Sequence, residues 1–307
     1  MDQEPGSRGH RPTAPPQTAD AALRRLARGF GSDVFATDDG WVVRVPRSAA
    51  ARARQEREAR LLALLSKRLA GVRLPRARLL PASDRWPLGA STHPYIAGRA
   101  VTVGDGAGAA ADALARALAR FLAALHAVPT ASLGVVGLGA WPPSASSLGA
   151  LRRAVEGHVA GSAGKPAAER VVRALDRAEA ALARAASEPP VLVHGDLWFG
   201  NLIVAGGRLV AVIDFEAAAL GPPAADLAVQ RYLGAAFHDR VAYEYGRLTG
   251  RVADPQLEAC LLLVREAEGL ADGVRAGAPD RDAVGKVVRA ARAAAQSWLA
   301  ATAERRS

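Results

Sequence analysis

A single cysteine stands in the 307 residues, so no disulfide can close within the chain. Cys260 lies in the apolar run Cys-Leu-Leu-Leu-Val, where a buried thiol is the expected state. Aromatic residues are also scarce, at 5%. No Lys/Arg cluster is interleaved with them as a nucleic-acid surface would need. The balance of 40 basic against 30 acidic residues gives a formal +10. Nearly all the basic residues are Arg, scattered among many Ala, which reads as compositional bias; no specific nucleic-acid partner is expected. No apolar stretch reaches the ~18 residues of a membrane span, so no membrane association is expected. Residues 1–20 are rich in Pro, Gly and polar types and lack an apolar segment. They read as a disordered tail rather than a signal peptide, and a cytoplasmic location is expected.

Half of the residues are apolar, enough for a large domain or two lobes. Ala21–Arg28 predicts a short helix. Two β-prone runs, Gly29–Thr37 and Trp41–Val45, flank the turn Asp38-Asp-Gly40 and predict a hairpin stopped by Pro46. Ala49–Leu69 predicts a long helix, with Leu61, Leu62, Leu65 and Leu69 at helical spacing. Leu74–Leu80 and Pro94–Gly98 read as strand or linker pieces. The Gly-rich stretch Gly98–Gly108 reads as the crossing between lobes at 21–97 and 98–307. Beyond it, Ala109–Ala127, Leu151–Val159, Ala167–Ala186 and segments from roughly 224, 238, 255 and 281 predict helices; residues 130–150 read as a loop. There are no internal repeats.

The chemistry concentrates in Val191-Leu-Val-His-Gly-Asp-Leu-Trp-Phe-Gly-Asn201. A first apolar run ends in Asp196, Asn201 follows five residues later, and a second run, Leu209–Ile213, delivers Asp214. A carboxylate, an amide and a second carboxylate at these spacings are the layout of a protein-kinase-like site. Asp196 is the candidate catalytic base, orienting an acceptor hydroxyl and taking its proton. His194 stands beside it as a catalytic-loop residue that braces the loop by hydrogen bonding. Asn201 and Asp214 offer hard oxygen ligands suited to Mg2+. In Gly29-Phe-Gly-Ser-Asp-Val-Phe35, Gly29, Gly31 and Ser32 are candidates to cradle nucleotide phosphates.

This stretch resembles the aminoglycoside phosphotransferase family of small-molecule kinases, marked by His-Gly-Asp, then Asn, then Ile-Asp-Trp/Phe. The resemblance covers roughly residues 29–235. It implies an α+β, bilobal protein-kinase-like fold, with a small antiparallel-sheet N-terminal lobe and a mostly helical C-terminal lobe. It also implies ATP or GTP as co-substrate with Mg2+, and a small-molecule hydroxyl acceptor. Gly221-Pro-Pro-Ala-Ala-Asp226-Leu-Ala is similar to the family's Gly-Asp-Pro-Ala-x-Asp-Leu-Ala, so Asp226 is expected to open a helix and tie down the catalytic loop. Pro222 replaces the first Asp of that pattern. Arg44 stands where kinases place a phosphate-binding Lys, keeping the charge with a bulkier, bidentate group. Glu58 is its expected helix partner, with Glu56 as runner-up. Trp41-Val-Val-Arg-Val-Pro-Arg47 and Leu125-His-Ala-Val-Pro129 are similar to the macrolide phosphotransferases of the same superfamily, which commonly carry His where this chain has Asn201.

An antibiotic of aminoglycoside or macrolide type is therefore the expected acceptor, with a choline- or sugar-like alcohol, or a non-catalytic nucleotide-binding role, as alternatives. Monomer and dimer both stand. For a polycationic acceptor the candidates are Glu266, Glu268 and Asp272, the last two sharing a helix face. Tyr232, Phe237, Tyr243 and Tyr245 are the candidate lining of a more apolar site, and Trp198 is either a substrate or a packing residue.

Overall fold

The computed structural model describes residues 22–29, 31–140, 145–252, 254–275, 277 and 282–304. The expected tail at 1–20 lies outside them. An antiparallel five-stranded sheet comes first, in the order β1-β2-β3-β5-β4. Its strands are β1 (Leu23–Arg28), β2 (Ser32–Thr37), β3 (Trp41–Pro46), β4 (Arg78–Leu80) and β5 (Ala90–Pro94). The β2–β3 hairpin turns at Asp38-Asp-Gly40 as expected, Gly40 taking a positive φ of 82°.

β1 corrects the helix expected at Ala21–Arg28. Arg, Leu and Ala favour a helix locally, but the edge of β2 offers unsatisfied backbone groups, and pairing with them wins. β1 is an outer strand with a register shift between Arg25 and Ala27 and mostly exposed side chains, so no apolar periodicity announces it.

Helix α1 (Ala49–Leu65) lies against this sheet. Ser48 caps it, its hydroxyl accepting from the Ala51 N–H. One face buries Glu58, Leu61, Leu62 and Leu65. The three leucines join a core shared with α2 (Ala111–His126), so α1 is anchored by one end to the helical half. Gly98 crosses so close to β8 (Leu202–Ala205) that a Cβ there would sit 2.7 Å from the Val204 carbonyl, at φ 143°. Only glycine fits this approach. Strand β6 (Arg99–Ala100) then pairs with β8, and β8 with β9 (Arg208–Val212).

The remainder is mostly helical: α3 (Ala145–Ala163), α4 (Lys165–Ala185), α5 (Ala224–Ala228), α6 (Ala235–Thr249), α7 (Pro255–Arg275) and α8 (Ala283–Glu304). A two-stranded ribbon of β7 (Val191–Val193) and β10 (Ala219–Gly221) sits among them. The loop expected at 130–150 is shorter than that, since a 3₁₀ turn occupies Thr130–Val136 and α3 already begins at Ala145.

Two cores result. One joins α1, α2, α6 and β7–β9 beneath the cleft. The other joins α3, α4, α7 and α8 through Ala, Val and Leu side chains and holds the buried Cys260. Among the described residues no single helix is long and apolar enough to cross a membrane. The architecture is α+β: an antiparallel-sheet N-terminal region and a mostly helical remainder.

Candidate active site

A cavity of about 720 Å³ opens between the sheet and the helical half, lined by Gly29, Gly31, Ser32, Val34 and Val42 on one side and by Ile203, Ile213, Asp196 and Asp214 on the other. β3 directs Arg44 into it. The opposite register positions Val42↔His93 and Arg44↔Ser91 give His93 and Ser91 the same sheet face as Val42 and Arg44. His93 lines the cavity beside Tyr95 and Ile96. Burial lowers its pKa to about 4, against the Pro94 carbonyl its Nδ1 meets at 2.9 Å. Ser32 also lines the cavity, its hydroxyl accepting from Gln55 Nε2 at 3.0 Å, which ties the loop to α1.

Arg44 is the hub of the N-terminal side. Its Nη1 donates to Glu58 Oε2 at 2.7 Å, and its Nη2 to Asp214 Oδ1 at 3.0 Å and Glu216 Oε1 at 2.5 Å. The other oxygen of Glu58 accepts from the Phe215 N–H at 2.8 Å, so one buried carboxylate grips both lobes. Glu56, the runner-up, turns outward to Arg52 at 2.8 Å. Arg54 adds a second guanidinium, 3.6 Å from Glu216. Burial opposes the charge on Arg44, but Glu58, Asp214 and Glu216 together hold its pKa above the ordinary value. Burial first, and then the crowding of Asp214 and Glu216, pushes Glu58 up. Three carboxylates, Glu58, Asp214 and Glu216, thus crowd around the guanidinium groups of Arg44 and Arg54.

The catalytic-loop candidates converge at the opposite wall. At Gly195, φ is 77° and a Cβ would lie 2.3 Å from the Ala217 carbonyl, so the His-Gly-Asp turn needs its glycine. The buried Asp226 receives the His194 N–H at 2.8 Å and the Gly195 N–H at 3.0 Å. His126 Nε2 completes its shell at 3.1 Å, and His126 Nδ1 meets the Tyr245 hydroxyl at 2.9 Å. Burial raises the Asp226 pKa, but His126, His194 and the backbone N–H groups outweigh it and hold the carboxyl below its ordinary range. Asp226 stands in the first turn of α5, as its resemblance-based role requires.

His194 is buried and packs on Phe215, ring centroids 4.4 Å apart. Its Nε2 donates to the Ile213 carbonyl at 3.0 Å, and its Nδ1 accepts the Asp196 N–H at 3.3 Å. One ring thus joins the two strand ends that deliver Asp196 and Asp214. Asn201 Nδ2 donates to the Asp196 carbonyl at 2.8 Å and to its carboxylate Oδ2 at 3.2 Å. That leaves the amide oxygen as a ligand atom. Asp214 is the only non-glycine residue among those described with a positive φ, 65°. Its side chain is 42% exposed towards the cleft.

Among the described residues no three His, Cys, Asp or Glu side chains converge to hold an ion. Magnesium does not require them, since it binds through one or two carboxylates and fills its shell with water and phosphate oxygens. Asp214 and the Asn201 amide oxygen fit that requirement, both being hard oxygen donors.

The acceptor-side candidates divide. Asp272 lines the cavity and pairs with Arg275. Glu268 lies one turn earlier; burial, then Asp272, pushes its carboxyl up to about 7. Glu266 is turned away, bonded to the Tyr232 hydroxyl in a second cavity of about 600 Å³ between α7 and α8. Phe237 and Tyr245 are core residues, and Tyr243 is exposed outside the cleft. Trp198 is 38% exposed and leans on Phe199 rather than lining the cavity.

Sequence reasoning assigned no site role to Glu216, Arg54, His126 or Arg265. Arg265 is bonded through Nη2 to Asp196 Oδ1. A signal was available: Arg265, Glu268 and Asp272 stand at i, i+3 and i+7, one face of a helix.

The chain matches no curated protein sequence. Solved structures do resemble it. The GDP and kanamycin complex of APH(2")-IIIa superposes with a TM-score of 0.75 at 22% identity, over 90% of this chain and 94% of that one. The ADP-bound aminoglycoside phosphotransferase APH(2'')-Ib gives 0.63 at 22% identity, over 90% and 95%. The apoenzyme of the macrolide 2'-phosphotransferase MphH from Brachybacterium faecium gives 0.59 at 26% identity, over 88% and 90%. The sequence pattern of the phosphotransferase enzyme family, APH, matches residues 22–260, more than half of the chain. With that match, and with a kinase-like fold that brings the Asp196 and Asp214 carboxylates to one cleft, the chain belongs to the phosphotransferase enzyme family and is a phosphotransferase.

Proposed function

We propose that this enzyme transfers the γ-phosphate of ATP or GTP to a hydroxyl of a small-molecule antibiotic of aminoglycoside or macrolide type, acting in the cytoplasm. One observation carries the reading: Asp196 and Asp214 share the wall of a cavity that also holds Arg44, locked by Glu58, and Asn201 stands behind Asp196, bonded to it. The division at residues 97/98 then separates a nucleotide-binding lobe from a catalytic and acceptor-binding lobe.

In this reading the nucleotide lies beneath Val34 and Val42, with its phosphates over Gly29, Gly31 and Ser32 and against Arg44. Asp196 orients the acceptor hydroxyl and takes its proton as the oxygen bonds to the γ-phosphorus and the bond to the β-phosphate oxygen breaks. His194 and Asp226 hold the Asp196 backbone in place. Bound magnesium, held by Asn201 and Asp214, would neutralise charge on the phosphate oxygens. Support for an antibiotic acceptor comes from the resemblance to kinases of both antibiotic types, and Asp272, which lines the cavity, would receive an acceptor's ammonium group.

An acceptor panel incubated with ATP or GTP, read by a mass gain of one phosphate, tests this. Phosphorylation of aminoglycosides or macrolides, lost in Asp196→Asn, is expected. Phosphorylation of choline- or sugar-like alcohols alone would replace the antibiotic with a metabolite. A nucleotide-binding role without transfer has one observation in its favour, the closure of Arg44 by three carboxylates. Magnesium-dependent transfer to any acceptor eliminates it.

A further inference from the structure

Both carboxylate oxygens of Asp196 are occupied before any acceptor arrives. Oδ2 takes the Asn201 amide at 3.2 Å, and Oδ1 takes the Arg265 guanidinium. The second contact spans 69 positions in sequence and joins the catalytic loop to α7. It is not a loose surface pair, the two side chains being 26% and 30% exposed. The adjacent acid, Glu266, accepts from the Tyr232 hydroxyl and acts on Arg265 through its charge, whereas Asp196 acts on it through both charge and a hydrogen bond. Asp196 is the carboxylate that Arg265 faces.

A base tied in this way is poorly placed to orient water, the smallest and most abundant acceptor. Water has nothing to offer the guanidinium that compensates for losing a partly desolvated ion pair. A larger acceptor would fill the cleft beside Asp272 of α7, the helix on which Arg265 has a second partner. Glu268 lies on the same helix face, at i+3; burial and Asp272 raise its carboxyl more than the nearby charges of Arg265 and Arg275 lower it, and neither guanidinium donates a hydrogen bond to it. Moving the guanidinium from Asp196 to Glu268 exchanges one ion pair for another and frees Oδ1 for a hydroxyl.

We propose that Arg265 is a positioning residue that makes the enzyme discriminate between its acceptor and water: it holds Asp196 Oδ1 while the acceptor site is empty and passes to Glu268 when an acceptor hydroxyl takes its place. The proposal rests on the reading of Asp196 as the base.

The test needs no knowledge of the natural acceptor. Phosphate release from ATP and from GTP, with Mg2+ and no acceptor, is measured for the full chain. Arg265→Gln is expected to hydrolyse nucleotide about five- to tenfold faster than wild type. Arg265→Lys, which keeps a cation, returns most of the way to wild type. Adding Asp196→Asn to Arg265→Gln removes the gain, and thermal melts of each variant establish that all are folded. Unchanged or slower hydrolysis in a folded Arg265→Gln, or a gain that survives Asp196→Asn, overturns the proposal. If wild type also phosphorylates a member of the acceptor panel, only the role of Arg265 falls. If no acceptor is phosphorylated and no variant consumes nucleotide, the kinase reading itself has failed, and the proposal with it.

Discussion

The two ends of the cleft are built on different plans. At the phosphate end, Arg44, Glu58, Asp214 and Glu216 come from three separate stretches of chain, and each of Arg44, Glu58 and Glu216 meets at least two partners. At the acceptor end, Arg265, Glu268 and Asp272 come from a single helix whose other faces belong to the α3–α4–α7–α8 core. The first end is held by a cross-linked network and suits a reaction common to many acceptors. The second can be rewritten by changing one helix face without disturbing the network. Variants at the phosphate end should therefore lower turnover equally for every acceptor, and variants at the acceptor end should change one acceptor relative to another.

The largest effect is expected at the meeting point of the two ends. Asp196→Asn keeps the shape and removes the base, so kcat should fall about a hundred- to ten-thousand-fold with each acceptor alike. Fluorescent-nucleotide titration should show nucleotide affinity within a few-fold of wild type. A loss confined to one acceptor would break the comparison.

Asp226→Asn comes next, and it tests the network rather than the chemistry. The buried carboxylate accepts from two backbone N–H groups and meets His126. An amide can accept on one side only, so a donor is left unmatched, at a cost of about 2–4 kcal/mol. A melting temperature lowered by several degrees is expected. The loss shrinks in acid: the folded pKa lies below the ordinary value, so the carboxylate contributes its stability above that value and loses it as pH falls.

Glu216→Gln is a smaller and opposite test. It removes one of the three carboxylates that hold Arg44, freeing the guanidinium for phosphate. The KM for ATP or GTP should fall about three- to tenfold, whichever acceptor is used. A rise would assign Glu216 to the bound state rather than to the empty one.

These contrasts also account for what could be read from the chain alone. Asp196, Asn201 and Asp214 fall within 19 consecutive residues, 196–214, at spacings set by two short strands, so local pattern suffices. Glu58 was reachable because the resemblance to kinases implies a helix Glu as partner of Arg44, and the predicted helix after that strand offers Glu58, with Glu56 as runner-up. Glu216 bonds a residue 172 positions away and Arg265 one 69 positions away; the helix face that Arg265 shares with Glu268 and Asp272 is legible, but neither distant partner is. β1 was misread for the same reason, since the partner that makes it a strand is β2 and not its own sequence. Glu266 was grouped with Glu268 and Asp272 by proximity along α7, although one residue along a helix turns a side chain about 100° away, here into the second cavity.

The smallest expected effect separates the two ends by sign. Glu58, buried, and Glu268, half-buried, are both acids with raised pKa values, and Gln replaces either at equal volume. For Glu268 the folded value is about 7, above the ordinary 4.5. Below pH 4.5 the group is protonated in both states and costs nothing. Between the two values the unfolded chain ionises first, so stability drains away as pH rises, and above 7 the deficit is constant. Glu268→Gln abolishes that drain. It should match wild type near pH 4 and exceed it at pH 8 by about 1 kcal/mol, allowing for solvent screening at a partly exposed site. Glu58→Gln takes away the carboxylate that Arg44 Nη1 and the Phe215 N–H share, leaving a buried guanidinium under-matched, so it should destabilise at pH 8. Thermal melts of both variants across pH 4–8 decide the matter: curves of the same sign at pH 8 would mean that the acceptor end is as tightly cross-linked as the phosphate end, and that its helix face is not free to vary.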